Sequence, residues 1–392
     1  MQISEPNPSS AKSFALFALA FRPFFLLAGI SAVFLLMFWI LVFTQGWTLS
    51  ADMPALYWHS HEMIFGYSSA VIAGFLLTAA RNWTGVQTLT GKPLMLLVLV
   101  WLLARVLIFT PLDLVWLAAV DVGFFVLLAL AVACPIVRVK QWNNFVFVPL
   151  LLLYALSNGL FYAELLWGLE NGEEWGVHSG LGVIIVIISI MAGRVVGFFI
   201  ERGVNKNVKN HPWANHLALW GSAVFMATQF ILPPNILIGI AVLAAIGHLG
   251  RLIGWYHAAI WKHPLLWVLY LGYGWMMAGF ALTALHLSGL LAESLAIHAF
   301  TVGTIGVMTL GMMARVALGH TGHAMQSHGL MNLAFLLINA AVIVRVILPL
   351  LLPAMSMLWI QLAGVLWVSA FMFFCWIYVP ILIRARVDGQ PG

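Results

Sequence analysis

Two histidines and a glutamate, His59, His61 and Glu62, open the stretch YWHSHEMIFGYSSAVIAGFLLTAARNWTG, from Tyr57 to Gly85. Their types suit metal ligation or proton transfer. The apolar run behind them is long enough to cross a bilayer, since about 20 residues rising ~1.5 Å each match the hydrocarbon core. Placing such groups at the head of a membrane helix is costly, which makes function their default explanation. Residues two apart on a helix differ by ~200° of rotation, so the two rings face different ways. One is expected to address a metal in the core, the other a second site or a hydrogen bond. Glu62, one turn from His59, is placed to orient that imidazole. The zinc-protease motif is excluded, because position 65 is Phe. Histidines wetted by an outer loop are the plainer alternative.

Further imidazoles sit at comparable depth. His298 opens HAFTVGTIGVMTLGMMAR, about one turn or ~6 Å inside its helix. Histidines of two helices in one layer are what a haem between them requires. Gly303, Gly306 and Gly311 thin this helix for a neighbour or a flat macrocycle, and plain helix packing explains them as well. His178 follows the acidic stretch Glu170 to Glu174; it is a candidate copper ligand or a solvated cap. His286 reads as interfacial. His248, within its span and one turn from Arg251, is expected to be a buried ring bonded to a backbone carbonyl.

Arginines mark the opposite ends. Arg81, Arg194 and Arg315 close three spans as TAAR, MAGR and MMAR, each four spans after the last, which suggests three quasi-repeats of four helices. With Arg22-Pro23-Phe24-Phe25 and Gly319-His320-Thr321-Gly322-His323 they form polar tips able to clamp anions, although anchoring and helix capping suffice. Arg105 and Arg345 approach the acidic side instead. They are expected to pair with Asp113, with haem propionates as the other partner.

The elements that must carry these groups are membrane helices. The chain is 63% hydrophobic and 7% charged, with a mean hydropathy of +1.04, which excludes a soluble fold. The net charge of +5 is scattered over short loops, so no nucleic acid is implied. Cys134 and Cys375 fall in apolar spans, so neither a disulfide nor a thiolate cluster is expected. Twelve spans can be read, near 14–43, 56–80, 93–110, 113–137, 145–168, 177–200, 216–232, 234–257, 264–287, 294–318, 329–350 and 355–383. They make one all-α polytopic transmembrane domain over residues 1–392. Lys12, Arg22, Arg81, Lys92, Arg138, Lys140, Arg202, Lys206, Lys209, Lys262, Arg384 and Arg386 alternate in side with Asp52, Asp113, Glu170, Glu173, Glu174 and Glu293. The positive-inside rule then puts both termini in the cytoplasm.

The stretches FRPFFLLAGI, WHSHEMIFGYSSAVIAGFLLTAARNWTG, AGRVVGFF and HAFTVGTIGVMTLGMMARVALGHTGH, with the twelve-helix layout, resemble the NnrS family. That resemblance implies a haem- and copper-containing protein of the bacterial inner membrane, linked to nitric oxide metabolism, denitrification and resistance to nitrosative stress. Nitric oxide or a related small ligand, membrane lipid and an electron donor would be its partners. Carried over by position, His59, His61 and His298 are the ligand candidates, and His320 is a family-typical position of unknown role. At Tyr270 other members suggest histidine, which speaks against a ligand there. The layout is also similar to the catalytic subunit of haem–copper oxidases and nitric oxide reductases. The seventh span lacks their paired histidines and the tenth has one outer histidine, so a single b-type haem with a nearby copper fits better. No residue is assigned a catalytic role. A metal or small-anion transporter or channel, and a haem or copper delivery factor, are the alternatives.

Overall fold

In a computed structural model describing residues 14–46 and 53–390, the apolar spans are helical. No strand forms among the described residues; Phe14 and Arg384 make an isolated antiparallel bridge. Lys12 and Asp52, used above for topology, lie outside the described residues. The helices are α1 (Phe21–Gln45), α2 (Ala55–Thr84), α3 (Gly91–Leu107), α4 (Leu114–Arg138), α5 (Phe147–Trp167) and α6 (Gly172–Val204). They continue with α7 (Pro212–Thr228), α8 (Pro234–Trp255), α9 (Pro264–Leu287), α10 (Glu293–His320), α11 (Gly329–Leu351) and α12 (Ser356–Ile383). Ten spans exceed the length and hydropathy needed to cross a membrane. The others, α3 and α7, have 17 residues each, at the lower edge of what still spans a hydrocarbon core. In lipid a helix is the only open segment that satisfies its own backbone, which is why so apolar a chain takes this form throughout.

Local chemistry sets the helix ends. Pro212, Pro234 and Pro264 start α7, α8 and α9 at the position where a missing N–H costs nothing. Gly85 and Gly168, both at φ 68°, end α2 and α5 in the left-handed conformation that side chains resist. The first helix begins later than its apolar run, because Pro23 belongs in a first turn. Ala15 N–H instead donates to the Ile383 carbonyl at 2.8 Å.

Three helices are not wound uniformly. Glu62–Ser68 in α2, Ala299–Val307 in α10 and Ile343–Ile347 in α11 are π-helical. The packing sorts the described chain into two compact units. The first comprises Met1–Gly180, Met313–Gln326 and Phe371–Gly392. The second comprises Leu181–Met312 and Ser327–Ala370. This division does not follow three blocks of four helices. Leu103, Leu130 and Trp376 are among many large apolar side chains left exposed, as lipid-facing surfaces require.

Candidate functional site

In the first unit His61, Glu62 and Asp121 are buried, and Arg105 joins them in a closed set of charges. His61 Nδ1 lies 3.2 Å from Glu62 Oε1. Its Nε2 lies 2.9 Å from Asn158 Oδ1 and 3.1 Å from Asp121 Oδ2. Both ring nitrogens therefore face acceptor oxygens, and a ring that donates from both is an imidazolium. Arg105 Nη2 donates to Asp121 Oδ1, and its Nε stands 3.1 Å from Glu62 Oε2. Asn158 Nδ2 and Tyr162 Oη donate to Asp121 Oδ2 at 3.0 and 3.1 Å. Two cations face two carboxylates, so the buried set is neutral as a whole. That is the condition under which buried charge is tolerated.

The π-turn of α2 makes this arrangement possible. Its wider winding turns carbonyls away from regular helical partners, and side chains take them up. Ser68 Oγ donates to the Met63 carbonyl at 2.8 Å. Tyr154 Oη donates to that of Ile64, and Arg105 Nη1 to that of Phe65 at 3.2 Å. Trp101 Nε1 donates to that of Gly66 at 3.3 Å and to Ser69 Oγ at 3.0 Å. A Cβ on Gly66 would stand 2.7 Å from Glu62 Oε2, so glycine leaves the space in which Glu62 meets Arg105. Phe65, Phe125 and Tyr154 pack beneath, with centroids 4.6–6.1 Å apart.

His59 points elsewhere, as the rotation between the two histidines requires. Its ring stacks on Trp39 of α1 at 4.0 Å. Glu62 meets the adjacent His61, not His59, because the π-turn carries its carboxylate back over the preceding ring. In the second unit His298 Nδ1 donates to the Ser294 carbonyl at 2.6 Å. In the first, His178 Nδ1 donates to the Glu174 carbonyl at 2.9 Å. A backbone acceptor at Nδ1 places the ring lone pair on Nε2, the tautomer common in metal-ligating histidines. His298 and His178 thus have the chemistry that haem or copper needs. His61, as placed here, has no lone pair to offer. Among the described residues no three His, Cys, Asp or Glu side chains are grouped to hold one metal ion.

The glycines of α10 serve neighbouring side chains. A Cβ at Gly303, Gly306 or Gly311 would meet Trp275, Trp367 or Val268 within 2.3–2.7 Å. That face is helix packing and is not left for a flat macrocycle.

His248 is buried, yet side chains hold it in place of the expected carbonyl. Arg251 Nη1 can only donate, so Tyr273 Oη accepts from it at 2.9 Å and donates to His248 Nδ1 at 2.7 Å. His248 Nε2–H then donates to Ser222 Oγ at 3.0 Å, and Ser222 donates to the Ala218 carbonyl at 2.7 Å. The ring is a neutral link in a complete chain of donors. Tyr270 Oη donates to the Leu252 carbonyl at 3.1 Å. His286 Nδ1 donates to the Leu291 carbonyl at 3.1 Å, within its loop.

The arginines also differ from expectation. Asp113 caps α4, accepting from Val115 N–H at 2.9 Å. Arg105 pairs with Glu62 and Asp121 in its place, and Arg345 meets no carboxylate among the described residues. Arg194 is exposed on α6 in the second unit, whereas Arg81, Arg315 and His320 are half-buried in the first. Sequence reasoning missed Asp121, Asn158, Tyr154 and Tyr162. The available signal was a lone acid inside the apolar run LVWLAAVDVGFF.

A comparison with curated proteins gives no match. The family model described as NnrS protein matches residues 15–386. That match covers nearly every element just described, from the chain before α1 to the tail beyond α12, and the chain therefore belongs to the NnrS family.

Proposed function

We propose that this chain is a haem- and copper-containing protein of the bacterial inner membrane that acts in nitric oxide metabolism and resistance to nitrosative stress. Membership in the NnrS family supports a membrane protein of the nitric oxide response in general. The observation that carries the finer assignment is a shared break in winding. In α2 and in α10, π winding begins at the residue after a histidine, His61 in one and His298 in the other. Such turns are rare in helices and concentrate at functional sites.

His298 and His59 would each be a candidate imidazole for holding a b-type haem. His61 is the weaker partner on α2, because its two nitrogens already face Glu62, Asn158 and Asp121. His178 is the candidate for copper. Ferrous haem and cuprous copper both bind nitric oxide, which leaves sensing, scavenging and electron transfer open. The protein's own part is to hold the rings: the Ser294 carbonyl sets the tautomer of His298, that of Glu174 sets His178, and Trp39 stacks on His59.

The test is an optical difference spectrum, reduced minus oxidised, with copper analysis of the purified chain. His298→Ala and His59→Ala are expected to abolish or shift the haem bands. His61→Ala should leave them in place while lowering thermal stability, and His178→Ala should remove copper alone. Haem bands unchanged in His298→Ala would overturn the assignment of His298 to the haem.

A second function is favoured by one observation, the buried charges around Asp121. Ionisable groups buried within the spans are a feature of transporters of metals or small anions. A transporter would purify without haem; a delivery factor would carry substoichiometric, easily extracted metal.

A further inference from the structure

Three sequence motifs, Arg22-Pro23-Phe24-Phe25, Arg81-Asn82-Trp83-Thr84-Gly85 and Gly319-His320-Thr321-Gly322-His323, are not used by the haem and copper assignment proposed above. The fold of the first unit gathers them with the tail after α12. Arg22 is fully buried, and its Nη1 donates to the carbonyls of Leu382, at 3.0 Å, and Arg384. These belong to the last turn of α12 and the residues after it, where helical donors run out. Val387 N–H donates to the Thr321 carbonyl at 3.1 Å. Arg386 Nη1 donates to the His320 carbonyl at 2.9 Å, and the ring of Phe21 lies 5.5 Å from that of His320. Asp388 lies over Gly322, where a Cβ would come within 2.8 Å of its carboxyl carbon.

Positive charge is in excess here. Arg22, Arg81 and Arg386 contribute three positive charges, and the Asp388 carboxylate is spent on Arg386. Phe21 N–H donates to Thr78 Oγ1 at 3.2 Å, which brings the last turns of α2, and Arg81 with them, to the Phe21 ring that lies against His320. Arg22, Arg81 and Arg386 all stand within electrostatic reach of His320. Among the described residues nothing hydrogen-bonds the half-buried Arg81 guanidinium or the His320 ring. Loose basic loops anchor a span by sign alone. Here the cations come from separate segments, and backbone carbonyls tie down Arg22 and Arg386, which fixes the positive field around Arg81 and His320. Guanidinium matches the oxygens of phosphate in geometry and charge.

We propose that Arg81 and His320, in the field of Arg22 and Arg386, bind a phosphate group, carried by an anionic lipid headgroup or by free phosphate. The site stands apart from the haem and copper assignment and does not depend on it.

The test uses the full chain in detergent, with native mass spectrometry and thermal melting in the presence of phosphatidylglycerol, phosphatidylcholine or inorganic phosphate. Phosphatidylglycerol is expected to be retained and to raise the melting temperature, and phosphatidylcholine is not. Arg81→Gln should weaken retention about tenfold, the loss of one charge-assisted hydrogen bond. Lys262→Gln, an exposed basic residue between α8 and α9, should change nothing, and Arg81→Lys should restore part of the binding. Stabilisation by inorganic phosphate alone, with displacement of the lipid, identifies free phosphate as the ligand; its absence identifies the headgroup. Equal losses in Arg81→Gln and Lys262→Gln would reduce the cluster to generic anchoring and overturn the site. So would protection by neither phosphatidylglycerol nor phosphate.

Discussion

Asp121 and Arg105 are the residues at which a single substitution changes the charge of a closed, buried set. With His61 and Glu62 they sum to zero, so Asp121→Leu alone leaves a surplus cation inside the first unit. The expected cost is about 3–5 kcal/mol, read as a lower melting temperature in detergent. Arg105→Met together with Asp121→Leu keeps the set neutral and should cost much less than the two single losses combined. Simple additivity in that double-mutant cycle would refute the coupling. His323 offers a second probe, outside the spans. Burial holds its ring below the ordinary value of 6.5, the Arg22 charge adds to this, and a hydrogen bond at Thr321 works against it. The unfolded chain therefore takes up this proton at higher pH than the folded one. The stability tied to the neutral ring is complete above pH 6.5 and is lost as pH falls below it. His323→Gln should flatten that part of the pH–stability curve, and an unchanged slope would show that His323 is not its source.

At the scale of elements, the π-turn of α2 is the feature on which the site depends. It survives because Tyr154, Arg105 and Trp101 take carbonyls that α-winding would otherwise satisfy. Tyr154→Phe should leave the Ile64 carbonyl unsatisfied, at about 1–3 kcal/mol, with faster amide exchange confined to residues 62–68. Gly66→Ala is expected to be as damaging, since the new methyl meets Glu62 at 2.7 Å. Gly123→Ala, in α4 with nothing within 4 Å of the added Cβ, should be neutral or mildly stabilising. If the two alanines behave alike, the close approach at Gly66 is not what demands glycine. None of this was visible in the sequence, because EMIFGYS has no proline and ordinary helical composition. A π-turn arises when outside side chains compete for the carbonyls, and those side chains sit 35 to 90 residues away.

For the whole molecule, the alternation of charge along the loops predicts the topology. Cysteines introduced at Asn205 and Gln390 should react with an impermeant thiol reagent only from the cytoplasmic side. Cysteines at Asn171 and Gly289 should react only from the opposite side. Labelling of Asn171 and Gln390 from one side would break the positive-inside assignment. The all-helical architecture and the positions of nearly all helices followed from composition alone, since a long apolar run in lipid has one way to satisfy its backbone. The sequence also determined that His59 and His61 diverge, because helical rotation requires it. Only the tertiary structure decided where each ring went: His61 among Glu62, Asp121 and Asn158, and His59 against Trp39. It likewise decided that Arg105 pairs with Asp121, that Trp275 and Trp367 fill the glycine face of α10, and that three arginines converge near His320. The physical reason is range. Hydropathy and helical periodicity are carried by neighbours along the chain, whereas hydrogen-bond partners and charge balance are set between segments that meet only after packing.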